Sequence, residues 1–555
     1  MKITIQNLLF AVLGICYNKI KKWGGGMLDK TIHKIRTEAK LTQERFSEIF
    51  GVSQQSVQKW ERGVATPDLD KLVMISKYFD ISLDALILGN DNRIVDEMKK
   101  TKVIKPHYKN IHDWEFYSSN LLLEYQQSLD EGLDIEIYKD AFSSISRLPK
   151  GEIKKKLGDV LFEAVTSAGQ KEGYRYIEPS ELEQIRELRK KHKLTKKAPK
   201  DLESKVHGAW IGRICGCMLG KTVEGIRTDE LIPFLKETGN YPMHRYIYKS
   251  DLTSEIIGKY KFGFASQFYA DEVDGMPIDD DTNYVVLAQE IISQHGRDFT
   301  PCDVANAWVK YQSKEYYFSA ERVAYLNFVK GFDPPESAVY KNPYREWIGA
   351  QIRGDYFGYI NPGNPEKAAE MAWRDASISH IKNGIYGEMF ASAMLAAAAV
   401  TDDIEEIILC GLGEIPHTSR LYEDAMSVVE GYKNGVSQSD CFDAIHKKYD
   451  EYTSHGWCHT IPNAMIVIAS LLYGGGDYGK SICMAVETGF DTDCNGATVG
   501  SVLGMVKGID QIPLYWQAPI NDTLYTSLFG IEKVKISERV KLTMEQISQL
   551  NKEDK

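Results

Sequence analysis

Apolar residues recur every three or four positions through most of the chain, and stretches of strict apolar–polar alternation are scarce. The first spacing places apolar side chains on one face of a helix, whereas alternation would indicate a strand. The pattern therefore predicts an all-α protein. Beyond residue 201 the predicted helices span 206–219, 283–295, 302–312, 365–378, 384–400, 404–411, 421–434, 463–472, 480–487 and 496–507, and upstream two more span 113–131 and 150–168.

Shorter periodic stretches lie close together near the start of the chain and predict helices at 31–38, 43–50, 54–62, 68–79 and 82–88. Thr42 and Ser53 are favourable N-caps for the second and third of them. Gly51 suits the tight turn between these two helices. From Leu41 to Ile87 the sequence resembles the lambda-repressor-like (Cro/C1 type) helix-turn-helix family over nearly its full length.

The resemblance implies that the third helix enters the major groove of DNA. By position, the residues that would face bases are Gln54, Gln55, Ser56 and Lys59, and those that would contact backbone phosphates are Gln43 and Arg62. A helical protein–protein module is the alternative interpretation. Acidic and basic residues balance in 27–90, so a monomer would bind DNA weakly and a dimer is expected.

Two stretches further along carry glycine at every fourth position. They consist of Gly208, Gly212, Gly216 and Gly220, and of Gly496, Gly500, Gly504 and Gly508. Each glycine inside a helix costs roughly 0.5–1 kcal/mol against alanine, so two such stripes indicate a compensating close approach of two backbones. We expect the two glycine faces to pack together, which would bring Glu224 towards Asp491 and Asp493.

Acidic residues accompany these stripes in three places. Asp491 and Asp493 lie two apart, a spacing that on a helix would point them to different faces, so a shared loop is expected. Glu224 follows the first stripe, and three successive aspartates occupy 279–281. Carboxylates that converge from three segments suit hard divalent cations such as Mg²⁺. Taken singly, an acid before a helix is more often an N-cap or a partner of the helix dipole.

In chain order the motifs are Gly-x₃-Gly-x₃-Gly-x₃-Glu, Asp-Asp-Thr and Gly-x-Asp-Thr-Asp-x-x-Gly-Ala, and they resemble the ADP-ribosylglycohydrolase (dinitrogenase reductase-activating glycohydrolase-like) family. The resemblance implies two Mg²⁺ ions, or Mn²⁺ in their place, that bind ribose hydroxyls and activate water at the anomeric carbon. It implies that the ligands are Glu224, Asp280, Asp281, Asp491 and Asp493. Either Asp281 or Glu224 would act as the general acid or base.

Two further predicted metal-site residues depart from the family pattern. Asp279 stands where the family commonly has a threonine or serine ligand, which adds negative charge. Cys494 stands where it commonly has threonine, and a neutral thiol is a poor Mg²⁺ ligand. Backbone oxygen or water would then fill that position, so the metal geometry stays open.

The resemblance says less about the substrate pocket. The segment 349–353 only partly matches a glycine-rich family segment that normally contains asparagine, and Ser379-His380 matches a Thr-His region. The predicted substrate-binding residues are Arg353, His380, Asn383, Gly384, Tyr386 and His459. A core histidine is the alternative for His380, and the missing asparagine leaves simpler N- or O-ribosides open as substrates.

The chain has 555 residues, a formal net charge of −11 and nine cysteines without a Cys-x-x-Cys pair. This composition argues against a membrane-surface or nucleic-acid-coating protein and favours a cytoplasmic protein with reduced thiols. An apolar run in the first residues is too short to span a bilayer, so no stable membrane partner is expected, with a weak anchor as the alternative. The expected segments are an apolar or unstructured extension at 1–26, a helix-turn-helix domain at 27–90, a helical linker region at 91–200, an all-α catalytic domain at 201–535 and a tail at 536–555.

These motifs predict a Mg²⁺-dependent hydrolase that removes ADP-ribose, or a related ribosyl group, from a modified target and is joined to a DNA-binding domain. The alternative is a transcription regulator whose hydrolase-like domain binds an ADP-ribose-like ligand without turnover. The set of convergent carboxylates favours the enzyme, because a pure sensor has no need of it. The scissile linkage, the DNA operator and the oligomeric state stay open.

Overall fold

The computed structural model describes residues 28–89, 111–195, 201–260 and 268–553. The chain divides into two compact units, residues 1–107 and 108–555. In the described ranges, helices are almost the sole regular secondary structure of both units, which confirms the predicted all-α class. Each helix there is too short or too polar to traverse a lipid bilayer. The predicted extension at 1–26 lies outside the described residues.

Between residues 28 and 89, five helices enclose a small apolar core that includes Phe46 and Trp60. They are α1 (Leu28–Glu38), α2 (Gln43–Phe50), α3 (Gln54–Glu61), α4 (Leu69–Tyr78) and α5 (Leu83–Leu88). Thr42 and Ser53 cap α2 and α3 with their hydroxyls, and Gly51 takes a left-handed φ of 62° between them. The predicted helices and caps of this segment are confirmed.

Residues 111–195, which we call the accessory segment, belong to the second unit. Their helices are α6 (Leu121–Asp130), α7 (Lys139–Ser146), α8 (Glu152–Thr166) and α9 (Leu182–Leu188). Leu121, Phe142 and Leu161 are buried in a cluster of their own. A linker is predicted here, but the described part of this region is packed structure. Arg189, for example, is buried in ion pairs with Glu366 and Glu414.

The predicted helix at 113–131 is wrong in its first half. Two 3₁₀ turns, Asp113–Glu115 and Tyr117–Ser119, precede α6. Asn120 fixes them, because its Nδ2 donates hydrogen bonds to the carbonyl oxygens of Trp114 and Phe116. This side-chain competition with the backbone interrupts the helix before Leu121.

Beyond residue 201 the chain is a dense helical assembly in which each of the ten helices predicted from periodicity is present. The helices are α10 (Leu202–Lys221), α11 (Thr228–Glu237), α12 (Ser254–Lys259), α13 (Asp280–His295), α14 (Pro301–Tyr311), α15 (Ser319–Lys330), α16 (Glu336–Val339), α17 (Asp355–Tyr359), α18 (Pro365–Ala376), α19 (Lys382–Ala398), α20 (Ile404–Leu412), α21 (Arg420–Lys433), α22 (Gln438–Lys448), α23 (Ser454–Cys458), α24 (Thr460–Tyr473), α25 (Tyr478–Glu487), α26 (Thr492–Lys507) and α27 (Leu514–Gln517).

The end of the chain differs from the predicted tail. Two short strands, β1 (Thr523–Tyr525) and β2 (Lys533–Lys535), pair antiparallel and lead into α28 (Ile536–Glu553). Val540 and Ile547 of α28 are buried in the main core, and Thr543 Oγ1 accepts a hydrogen bond of 3.2 Å from the indole N–H of Trp210. The predicted boundary at 536 is therefore wrong, since this helix completes the domain.

The glycine faces of α10 and α26 pack against each other in antiparallel order, as predicted. A Cβ added at Gly208, Gly212 or Gly216 would lie within 3.0 Å of a backbone carbonyl oxygen of α26, a distance that real Cβ atoms essentially never show. The opposing glycines of α26 meet the α10 backbone in the same way. Only residues without a side chain permit this approach of two backbones.

We predict that Gly212→Ala lowers the free energy of unfolding by about 3 kcal/mol, because its methyl group would overlap the carbonyl of Gly500 and backbone cannot move aside as a flexible side chain can. Calorimetric unfolding of the full chain measures the loss. Gly258→Ala is the matched control, since Gly258 is exposed on α12 with no neighbouring atom in reach of a Cβ. This change should be neutral or stabilising by up to about 1 kcal/mol. Equal losses in both variants would contradict the prediction.

Candidate active site

Three chain segments bring acidic side chains together at the ends of α10, α13 and α26. Glu224 follows α10, Asp279 is the N-cap residue of α13, and Asp491 is that of α26. The first turns of these two helices add Asp280, Asp281 and Asp493. The expected loop for Asp491 and Asp493 is therefore wrong. They begin a helix, whose positive N-terminal end favours carboxylates.

Lys221, which is not among the predicted site residues, lies at the centre of this cluster. Its Nζ is 2.6 Å from a carboxylate oxygen of Glu224 and 2.9 Å from one each of Asp279 and Asp493. Burial alone would lower the pKa of Lys221, but the surrounding carboxylates raise it well above its ordinary value, so the ammonium is charged. Its position directly after Gly220, the last glycine of the first stripe, and before Glu224 is the sequence signal that could have identified it.

A second buried cation, Arg213, pairs with another acid of the cluster. Its guanidinium donates to Asp281 Oδ1 and to Asp355 Oδ2, both at 2.8 Å. The residue is almost fully buried, as are both acids. Asp281 is thus anchored by an arginine from the glycine-striped helix α10.

The acidic side chains of the cluster outnumber its two buried cations, Lys221 and Arg213. Burial and neighbouring acids raise the pKa values of Asp280, Asp281 and Asp491 well above the ordinary range. Although a third of the Glu224 side chain is exposed, burial of the rest and the Asp493 charge raise its pKa to about 7. For Asp493, burial acts in the same direction, but Lys221 outweighs it and lowers the pKa. Binding of a further cation would reduce the electrostatic repulsion among these carboxylates.

The donor atoms fit a hard divalent cation. Oxygens of Glu224, Asp491 and Asp493 lie within 4.8 Å of one another, and so do ligand atoms of Asp281, Asp493 and Cys494. Asp281 Oδ2 and Asp493 Oδ1 are buried without a hydrogen-bond donor among the described residues, which is costly unless a cation faces them. Burial raises the pKa of the Cys494 thiol well above its ordinary value. The neutral thiol does not share the carboxylates' preference for Mg²⁺.

A cavity of about 670 Å³ opens beside the cluster, within the size range of small-molecule sites. Glu224, Asp280, Asp491, Asp493 and Cys494 line it, together with Lys221. Asp279 and Asp281 lie behind this surface and are buried. Of the two predicted candidates for general acid or base, only Glu224 therefore faces the cavity.

The six predicted substrate-binding residues do not reach this cavity as the described residues define it. Arg353 is committed to Asp375 at 2.5 Å and Glu321 at 2.8 Å. A Cβ at Gly384 would meet the carbonyl oxygen of Arg345. The remaining four are buried in polar contacts with protein groups: His380 with Ser379, Asn383 with Glu346, Tyr386 with the Pro179 carbonyl and His459 with Ile461. Their predicted placement is corrected.

The cavity is also lined by aromatic residues for which motif comparison offers no signal. They include Trp114, Tyr344, Trp347 and Trp457. Trp114 comes from the accessory segment, far from the acidic motifs in sequence. Only the packing of that segment on the domain places it there.

In the first unit, α3 presents the predicted base-facing residues on an open surface. Gln54, Gln55 and Lys59 are exposed, and the half-buried Ser56 pairs with the Ser53 hydroxyl at 2.9 Å. Arg62, predicted to contact phosphate, is exposed at the end of α3.

The Gln43 side chain, which is predicted to contact a phosphate, is engaged in a hydrogen bond within the domain. Its Nε2 donates to Glu61 Oε2 at 2.7 Å, and Glu61 also pairs with Arg36 at 2.5 Å. Burial would raise the pKa of Glu61, but these hydrogen bonds lower it. The contacts join α1, α2 and α3 and so orient the exposed face of α3.

Known proteins resemble the first unit. A helix-turn-helix family model matches residues 32–86. The chain is 31% identical over 84 residues to the HTH-type transcriptional activator BcrR of Enterococcus faecalis, covering 15% of this chain and 41% of that protein. It is 36% identical over 76 residues to the uncharacterized HTH-type transcriptional regulator YqaE of Bacillus subtilis, covering 13% and 66%. The chain thus spans between about two-fifths and two-thirds of these relatives and carries a helix-turn-helix domain.

The second unit also has known relatives. A solved structure described as an ADP-ribosylglycohydrolase-related protein complex aligns over 63% of this chain and 99% of its own, with 16% identity and a TM-score of 0.37. The family model for ADP-ribosylglycohydrolase matches residues 198–547. Because this match extends over more than half of the sequence and contains the whole carboxylate cluster, the protein belongs to the ADP-ribosylglycohydrolase family.

Proposed function

We propose that the protein is a metal-dependent hydrolase that cleaves the ribosyl glycosidic bond of ADP-ribosylated targets or of a related riboside. The observation that carries this proposal is the buried carboxylate cluster at the cavity, with Asp281 Oδ2 and Asp493 Oδ1 lacking hydrogen-bond donors among the described residues. At the edge of a cavity, a bound cation would supply the contact that these oxygens lack.

Two Mg²⁺ ions, or Mn²⁺ in their place, would be held by Glu224, Asp280, Asp281, Asp491 and Asp493, with Asp279 tied to Lys221 behind them. When bound, such ions would orient the ribose diol and activate the attacking water. Lys221 and Arg213 position Asp493 and Asp281 for this role.

Glu224 is the best-placed proton carrier in this proposal. It lines the cavity, and its contact with Lys221 fixes one of its oxygens. A carboxylate whose pKa lies near neutrality can accept a proton from the attacking water and return it to the leaving group. Asp281 is held by Arg213 and does not line the cavity, so we assign it to cation binding and not to proton transfer.

The helix-turn-helix domain would bind DNA through α3, as a dimer. It would thereby bring the hydrolase to DNA or control the gene that encodes it. A ligand-sensing regulator without turnover is the second candidate function, and it is favoured by the presence of the exposed face of α3 in the same chain.

We predict that Asp491→Asn lowers kcat/KM for glycosidic hydrolysis at least about 100-fold, because a ligand for the catalytic cation is lost. The assay is Mg²⁺-dependent release of ribose or ADP-ribose from arginine-, serine- and DNA-linked ADP-ribose and from simple nucleosides. Asp298→Asn, at a fully exposed position, is the matched control and should retain activity. Ligand binding that alters DNA affinity, without release from any substrate, would favour the sensor instead.

We predict that Mg²⁺ raises the melting temperature more at pH 8 than at pH 5. In metal-free protein the folded state retains the Glu224 proton up to a pKa of about 7, whereas the ordinary value is 4.5. The contribution of the Glu224 proton to the free energy of unfolding is present below pH 4.5 and is lost as the pH rises through 7. Added cations compensate for the charge that appears. Thermal unfolding in MgCl₂ or EDTA at both pH values measures the effect. The prediction would be refuted if Mg²⁺ raised the melting temperature equally at pH 5 and pH 8, or if it raised that of Asp493→Asn as much as that of the unchanged protein.

We predict that Lys59→Ala weakens binding to the preferred DNA sequence by about 1–3 kcal/mol and relaxes sequence preference, because Lys59 lies on the base-facing side of α3. Lys77→Ala removes the same charge from an exposed position on α4 and is the control. Affinity for DNA selected from a random pool can be measured by fluorescence anisotropy. If both variants lose affinity equally on every sequence, α3 does not read bases.

A further inference from the structure

We propose that Asp281, Asp493 and Cys494 form a binding position for a divalent cation that accepts a thiolate ligand, with Zn²⁺ as its occupant, beside an all-oxygen position for Mg²⁺. This inference rests on the proposed metal-dependent function and names a different metal for one of its two ions. It concerns a residue at which the chain departs from its family, since Cys494 stands where threonine is common.

The ligand atoms of the carboxylate cluster fall into two sets that share Asp493. Oxygens of Glu224, Asp491 and Asp493 lie within 4.8 Å of one another, and ligand atoms of Asp281, Asp493 and Cys494 do the same. The first set offers oxygen alone, which suits Mg²⁺. The second set adds a sulfur atom, and thiolate ligands favour Zn²⁺ over Mg²⁺. The shared carboxylate therefore joins two positions of different chemistry.

Each carboxylate of the sulfur-containing set is fixed through one oxygen and leaves the other without a donor. Arg213 donates to Oδ1 of Asp281 at 2.8 Å, and Lys221 donates to Oδ2 of Asp493 at 2.9 Å. Asp281 Oδ2 and Asp493 Oδ1 are buried without a hydrogen-bond donor among the described residues. Both acidic side chains are at most 2% exposed. Such oxygens are costly to bury unless a cation faces them.

Cys494 brings the sulfur atom of this set to the cavity wall. It follows Asp493 in the first turn of α26 and is 6% exposed. Both residues line the cavity, whereas Asp281 lies behind them. A cation held by these three side chains would therefore keep one coordination position open towards the cavity. Three protein ligands and one open position are the arrangement of catalytic zinc sites.

Cation binding at this position is an exchange of a proton for a metal ion. The S–H bond of Cys494 breaks, the electron pair of the sulfur binds the cation, and the proton passes to solvent. No oxidant or reductant is required. Because Mg²⁺ binds a thiolate weakly, it does not compensate for the loss of this proton, whereas Zn²⁺ does. The exchange therefore selects Zn²⁺.

Two other cysteines lie near the acids and differ from Cys494 in their surroundings. Cys217 is close to Asp279 and Asp281, but its Sγ donates to Asp279 Oδ1 at 3.2 Å, and the residue does not line the cavity. Cys458 lines the cavity, but among the described residues it does not join two acids in a comparable set of ligand atoms. Both cysteines are therefore suitable controls.

A group of possible zinc ligands elsewhere, Asp130, His455 and His459, is disfavoured by its hydrogen bonds. The Nδ1 atoms of the two imidazoles accept hydrogen bonds, from the Trp347 indole N–H at 3.3 Å and from the Ile461 amide at 3.2 Å. A neutral imidazole whose Nδ1 is an acceptor carries its proton on Nε2. His455 Nε2 accordingly donates to Asp130 at 2.8 Å and offers no lone pair to a cation.

The test titrates the metal-free full-length protein with Co²⁺, a spectroscopic substitute for Zn²⁺. A thiolate–Co²⁺ bond gives a strong charge-transfer band in the near ultraviolet, which carboxylate and imidazole ligands do not give. We expect this band, its displacement by Zn²⁺ and its persistence in excess Mg²⁺. Absence of the band from the unchanged protein would overturn the inference without the need for any variant.

Cys494→Thr introduces the residue that the family commonly has at this position. We expect the band to disappear and the affinity for Zn²⁺, measured by competition with a chromophoric chelator, to fall at least about 10-fold, since loss of a supporting group around a metal already costs that much. The increase in melting temperature caused by Mg²⁺ should be unchanged. Cys458→Ser and Cys217→Ser each remove one of the other thiols and should retain both the band and the Zn²⁺ affinity.

The possible outcomes separate this inference from the function on which it rests. A band that survives Cys494→Thr, or a loss of Zn²⁺ affinity that is equal in Cys494→Thr and Cys458→Ser, would overturn the inference and leave the hydrolase in place. A band lost in Cys494→Thr alone, without hydrolysis of any substrate in Mg²⁺ or Zn²⁺, would support the cation position and overturn the proposed hydrolase.

Discussion

The direct contact of two backbones along α10 and α26 is the constraint on which the rest of the structure depends. The glycine faces bring the end of α10 against the start of α26, where a Cβ on Gly220 would meet the Thr492 backbone. Lys221 and Asp493 thereby lie within 2.9 Å of each other. The juxtaposition of Lys221 and Asp493 in the carboxylate cluster is thus a consequence of helix packing.

The charge distribution around that contact explains why the cluster is stable before any ligand binds. Lys221 and Arg213 project from the same helix, and both pair with acids at the start of α13, while Lys221 also pairs with Asp493 at the start of α26. They leave part of the negative charge uncompensated, and the raised pKa values of Asp280 and Asp491 record this imbalance. A fold with complete internal compensation would have no affinity left for a cation, whereas one with none would not fold.

Periodicity and short motifs were sufficient for the features that depend on local sequence. The ten helices predicted beyond residue 201, the caps Thr42 and Ser53, the paired glycine stripes and the convergence of the acids follow from residue spacing. The pocket does not, because side chains such as Arg353 and His380 find buried partners that no local pattern encodes. The same holds for Trp114, which reaches the cavity only through tertiary packing, and for α28, whose amphipathic pattern resembles that of a solvated helix until its partner Trp210 is known.

The buried ion pairs of Arg345 show that the family match and the folded unit begin at different residues of this chain. The family match begins at residue 198, yet the acids that neutralise Arg345 lie at positions 124 and 131. A polypeptide cut at the family boundary would lose both acids that pair with Arg345 and the helix that packs over them. The folded unit is therefore longer than the family match, and helices upstream of residue 198 supply part of its buried ion pairs.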